Sequence, residues 1–313
     1  ELPTELGPGS TTAFQLITFN ELFETAFFGS LVNNITTGVP GYEAQNKDEL
    51  LKIFKAVLAQ EEEHALAAQA ALKTANQFVP QPCQYKFPVA KLADVVNLAE
   101  TFTAIVLGAL QGAQVLFAKD QKFIPLQLIS SVIGQEGEQN GFYRIFLEEV
   151  PSESPFLTPV PAAFAWTALQ MFVVPGSCPF ELSKIPLPIF APLTVNGGPI
   201  AVLDAKDQEV SFSADLTHVQ NAQKYFDTPA KGLYLTYTSG QSKPISVPLK
   251  NVQWCAGEIT FSADFPFEKN VLSGFTHAAL TTANNFQSSD AIVDATLAAP
   301  AVIQVKNPVQ YKY

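Results

Sequence analysis

Apolar residues recur three and four positions apart over four long stretches of the first half of the chain. These run roughly from Thr11 to Val32, Asn46 to Asn76, Val89 to Ala118 and Ile124 to Glu149, and the spacing predicts four amphipathic helices. Asn46-Lys47-Asp48-Glu49 has capping-box form and opens the second. A shorter helix is expected from Pro161 to Val173, closed by Pro175 and Gly176. Four long helices with intervening loops indicate a bundle. After Cys178 the period changes to two, in Leu193 to Leu203, Glu209 to Ser213, Leu233 to Tyr237, Glu258 to Phe261 and Ala301 to Val305. Asn196-Gly197 reads as a hairpin turn. Short strands at this spacing suggest a β-sandwich. The predicted fold class is α+β and multidomain, with a helical bundle over residues 1–178 and an all-β, sandwich-like domain over residues 179–313.

The inner stripes of the helices carry more than apolar side chains. Positions three and four apart share a helical face. In the first helix the stripe is Ile17, Glu21, Glu24, Phe28 and Leu31; in the second it is Phe54, Val57, Glu61, His64 and Ala68, with Glu62 and Glu63 turned to solvent. The third gives Val96, Glu100, Thr103, Leu107 and Leu110, and the fourth gives Ile129, Val132, Glu136, Gln139, Tyr143 and Phe146. None of these stripes supplies a Lys or Arg, so five inward carboxylates demand a cation or several protons. Carboxylates with an imidazole suit iron, manganese or zinc, and a dinuclear arrangement would neutralise the site best. Taken alone, Glu61-x-x-His64 reads equally well as a solvated face; agreement among four helices favours an interior site. The candidate ligands are Glu21, Glu61, His64, Glu100, Glu136 and Gln139, with Glu24 the second choice as a hydrogen-bonded neighbour.

Composition narrows the setting. An apolar content of 47% with 15% charged residues describes a chain able to bury a large core. The formal charge is -11 and Arg144 is the only arginine, so no basic face is available for nucleic acid. No uninterrupted apolar run of about 18 residues appears, which argues against a transmembrane segment. Cys83 and Cys178 lie in breaker-rich loops and form the natural disulfide pair; Cys255 follows Trp254 in a strand-like run and is expected to be free and buried. A disulfide, a chain opening at Glu1 without Met, and an Asn34-Ile35-Thr36 glycosylation sequon in a loop position all fit a secreted protein, extracellular or in the cell wall. Lacking ligand-spaced partners, His218 and His277 read as structural or surface residues, and no nucleotide-binding glycine loop or nucleophile elbow is present.

Glu21, then Glu61-x-x-His64, then Glu100, then Glu136-x-x-Gln139, over roughly the first 150 residues, resembles the ferritin-like superfamily, whose four-helix site takes one Glu from each of two helices and an ExxH from each of the others. Glu21 followed by Phe28 looks like the family's first-helix Glu and aromatic, which favours Glu21 over Glu24 as the ligand. Gln139 departs from the pattern where a second His is expected. Phe19-Asn20-Glu21-Leu22-Phe23-Glu24, Gln60-Glu61-Glu62-Glu63-His64 and the Pro-Cys loop are similar to secreted fungal ferritin-like proteins of the stress-response and sexual-development type and to plant desiccation-related proteins. The likeness extends to some mushroom pink chromoproteins.

Three functions stay open on this basis. One is binding of one or two divalent metal ions in the bundle core, with metal-dependent oxidase activity as its enzymatic form. Another is a carrier of a small organic molecule such as a pigment or chromophore, with a degenerate metal site. The last is a non-catalytic extracellular stress or structural protein. The partners expected are a metal or small molecule, and homo-oligomerisation is left open.

Overall fold

The computed structural model describes residues 2–152 and 154–310. Its first half is built from α1 (Pro8–Thr37), α2 (Lys47–Thr74), α3 (Leu92–Lys119) and α4 (Phe123–Phe146), followed by the shorter α5 (Ala162–Gln170). Helix α1 runs beyond the end its periodicity predicts. Ile35 prolongs the buried stripe of Phe28 and Leu31, and Gly38, at φ 71°, closes the helix. There the Val39 N–H donates to the Asn34 carbonyl and the Gly38 N–H to that of Ile35. Asn34 therefore stands in the last turn of a helix and not in a loop. The local Asn and Thr content disfavours helix, and the burial of Ile35 outweighs it.

Ring contacts fix the helix directions. Phe14, early in α1, packs on Phe117, late in α3, with centroids 4.7 Å apart. Phe27 meets Phe102 of α3 at 4.8 Å. Phe28, late in α1, stacks on Phe54 of α2 and Tyr143 of α4 at 6.4 and 6.1 Å. Helix α1 is thus antiparallel to α2 and α3 and parallel to α4, so residues 75–91 carry the chain along the bundle between α2 and α3. Cys83 lies in this crossover and is disulfide-bonded to Cys178. By length and composition α3 is apolar enough to cross a membrane, with mean hydropathy 1.5, yet 56% of that window is buried within the protein. That composition is expected of a bundle's core helix.

The second half forms two sheets. One has the order β1-β3-β7-β6, from Thr194–Val195, Gln208–Asp215, Glu258–Phe265 and Lys250–Cys255; the other has the order β2-β9-β8-β4-β5, from Ile200–Asp204, Thr296–Lys306, Gly274–Thr281, Tyr234–Ser239 and Ile245–Pro248. Among the described strands, β2 and β9 alone pair in parallel. Val210, Phe212, Ile259 and Phe261 of the first sheet share one core with Leu235, Tyr237, Ile303 and Val305 of the second, as in a β-sandwich.

Two expectations are corrected here. Asn196 and Gly197 do form a tight turn, at φ 50° and 80°, but it does not close a hairpin, because β1 pairs with β3 and β2 with β9. Turn geometry is local, whereas the choice of partner strand depends on which sheet buries the side chains. Strand β8 lacks an alternating pattern because it is buried on both faces. Beside it, Thr158 Oγ1 donates to the Phe275 carbonyl at 2.7 Å, His277 Nε2 donates to the Pro159 carbonyl at 2.9 Å, and Phe164 packs on the His277 ring. Cys255 is free but exposed. Trp254 turns inward on the edge strand β6, its Nε1 donating to the Thr228 carbonyl at 2.8 Å, and the period of two sends Cys255 outward.

Contacts divide the chain into two compact units. The first comprises the chain up to residue 106 together with 110–147 and 169–187; the second comprises 107–109, 148–168 and the chain from 188 onward.

Candidate metal centre

The helices place a carboxylate layer between two apolar layers of the bundle. Phe14, Ile17, Ala68, Leu72, Leu110 and Ile129 pack together on one side. Phe28, Phe54, Phe102 and Tyr143 form an aromatic layer on the other. Glu21, Glu24, Glu61 and Glu136 are fully buried, and Glu100 is 2% exposed. Glu62 and Glu63 face solvent, as their helical phase predicts.

Glu21 from α1, Glu61 and His64 from α2, and Glu136 from α4 each offer one ligand atom, all lying within 4.8 Å of one another. His64 Nδ1 lies 3.0 Å from Glu61 Oε2, 3.6 Å from Glu21 Oε2 and 3.9 Å from Glu136 Oε1. The i, i+3 spacing of Glu61 and His64 sets the shortest of these contacts. Burial acts to lower the His64 pKa, but the close approach of Glu21, the hydrogen bond to Glu61 and the negative charge of both outweigh it and raise it to about 10. Burial pushes Glu21 up to about 7; the charge of Glu61 adds to this while His64 opposes it. Burial, and then the neighbouring carboxylates, hold Glu24 and Glu136 well above the usual carboxylate range.

The remaining predicted residues are placed differently. Glu100 of α3 accepts from Arg144 of α4, with Nη2 at 2.8 Å and Nε at 2.9 Å. The inner stripes supply no Lys or Arg, and the cation that reaches Glu100 comes from Arg144, at a position outside the stripe. Gln139 Nε2 donates to Glu61 Oε1 at 2.6 Å, and its carbonyl accepts from the Tyr143 hydroxyl at 3.2 Å. Glu24 takes a hydrogen bond at 2.8 Å on Oε1 from Asn20 Nδ2. Stripe reasoning overlooked Asn20, Gln60, Gln135 and Arg144. Gln135 and Gln139 both donate to Gln60 Oε1 beside Glu61. Only Arg144 carries a usable signal, as the sole arginine, eight positions after Glu136 on the same helix.

The donor set fits a divalent cation. Both carboxylate oxygens of Glu21 and of Glu136, and Oε2 of Glu24, are buried without a hydrogen-bond partner. Such groups are costly unless a cation or protons compensate them. Three carboxylates with one imidazole match iron, manganese or zinc better than magnesium or calcium.

Residues 11–149 match the model of the ferritin-like domain. A comparison with curated proteins finds no match for the chain.

Proposed function

We propose that this ferritin-like domain binds a single divalent metal ion through Glu21, Glu61, His64 and Glu136. The observation that carries the reading is the set of buried carboxylate oxygens without partners on α1 and α4, gathered beside Glu61 and His64 of α2. Iron or manganese would supply a redox-active centre there, and zinc a Lewis acid.

The chain's own residues prepare the site. Gln139 orients Glu61 through its amide, and Tyr143 holds that amide by its carbonyl. Asn20 fixes Glu24 beside the cluster. In the metal-free protein the His64 proton balances part of the carboxylate charge, and an ion would take that proton's place. A single ion is favoured over two because Arg144 already neutralises Glu100, and Gln139 stands where a second imidazole would be needed. Secretion is part of the same reading and is supported by the Cys83–Cys178 disulfide.

Metal analysis of the natively purified chain tests the proposal. About one ion per chain is expected, and His64→Ala and Glu61→Ala should each lower metal content by about tenfold or more while Glu62→Ala leaves it unchanged. Retention of metal by both His64→Ala and Glu61→Ala would overturn the assignment.

A further inference from the structure

A cavity of about 300 Å³ opens between α1, α2 and α4 and ends against the carboxylate layer. Phe14, Ile17, Ala68, Ile129 and Val132 form its apolar walls. Exposed Glu63 and Ser131 stand at its outer rim, and buried Glu21 lies at its depth beside His64. The space exists because α2 presents Ala67 and Ala68 to it, where Leu would fill the gap. At roughly 30 Å³ for each water-sized group, the cavity has room for about ten such groups. Sites of this kind are apolar with few polar groups, which fix a ligand's orientation.

The polar features of the cavity select its guest. Both Glu21 carboxylate oxygens are buried without a hydrogen-bond partner, so the inner end accepts hydrogen bonds and favours positive over negative charge. An anionic head would meet Glu21, Glu61 and Glu136 within the same cluster, where the one imidazole, His64, already has its Nδ1 engaged by Glu61 at 3.0 Å. The apolar walls in turn exclude a guest that is polar throughout.

We propose that this cavity binds a small apolar alcohol, phenol or amine, with its body against Phe14, Ile17, Ile129 and Val132 and its O–H or N–H group directed to Glu21. The site shares Glu21 with the metal ligation proposed above, and its occupancy does not require an ion.

The test uses the full chain after dialysis against a chelator, so that the result is independent of metal binding. Carbon-13-labelled isoleucine methyl groups are followed by NMR during titration with 4-ethylphenol, hexylamine or hexanoate. The phenol and the amine should bind saturably and move the Ile17 and Ile129 methyl signals first, with hexanoate at least about tenfold weaker. Ala67→Leu, which grows into the cavity from a partly exposed position, should weaken both productive ligands by about tenfold while the circular dichroism stays that of the parent. Absence of saturable binding, equal binding of hexanoate, or shifts confined to other isoleucines would overturn the proposal in the unsubstituted chain alone. Unchanged affinity in folded Ala67→Leu would also overturn it.

Discussion

Arg144 donates from both Nε and Nη2 to one oxygen of Glu100, and both side chains are largely withdrawn from solvent. Removing one member of such a pair strands a charge, whereas removing both removes the need for compensation. Arg144→Met should cost about 3 kcal/mol, and the double variant Glu100→Leu with Arg144→Met should recover most of it; chemical denaturation of the three proteins measures the difference. His277 presents the opposite case, a titratable group kept neutral. Burial lowers its pKa to about 4, with the Pro159 carbonyl opposing weakly. An unfolded His titrates near 6.5, so below that pH the unfolded chain binds the extra proton while the folded chain refuses it until about pH 4. The contribution of His277 is therefore full above pH 6.5 and is lost as pH falls towards 4. Between pH 7 and 5 the loss should be about 2 kcal/mol. His277→Gln should flatten that part of the stability profile in urea titrations run at successive pH values.

At the scale of elements, helix phase was readable because burial of one face imposes its period on the sequence. Glu61 and His64 were placed correctly against Glu62 and Glu63 by that phase alone. The α2 to α3 crossover was less readable, since its course along the bundle is set by helix directions and not by its own residues. Its covalent tie to residue 178 spans 95 positions within the helical unit. In the chain-entropy model that closure stabilises by about 4 to 5 kcal/mol. Replacing both Cys83 and Cys178 by Ala should lower the helical unit's unfolding free energy by about that amount, as read from denaturant midpoints. A loss below about 1 kcal/mol would mean that the reduced, unfolded chain is already compact there.

For the molecule as a whole, the metal binding proposed above would be coupled to folding, because the cluster assembles from three helices that the unfolded chain does not hold together. Free metal at about a hundred times its Kd should raise the stability of the native chain by about 2.7 kcal/mol, and by nearly nothing in His64→Ala. Thermal unfolding followed by helical circular dichroism, with and without metal, measures both. The sequence by itself determined the α+β class, the helical and strand periods and the inward phase of Glu21, Glu24, Glu61, Glu100 and Glu136, since each follows from a residue's spacing along its own element. Which carboxylates meet was decided only by the tertiary structure. Glu100 and Arg144 face each other across α3 and α4, Gln139 reaches Glu61 across α4 and α2, and the Asn196-Gly197 turn separates two sheets instead of joining two strands. Those pairings depend on the rotation and partnership of whole elements, and local spacing carries no record of either.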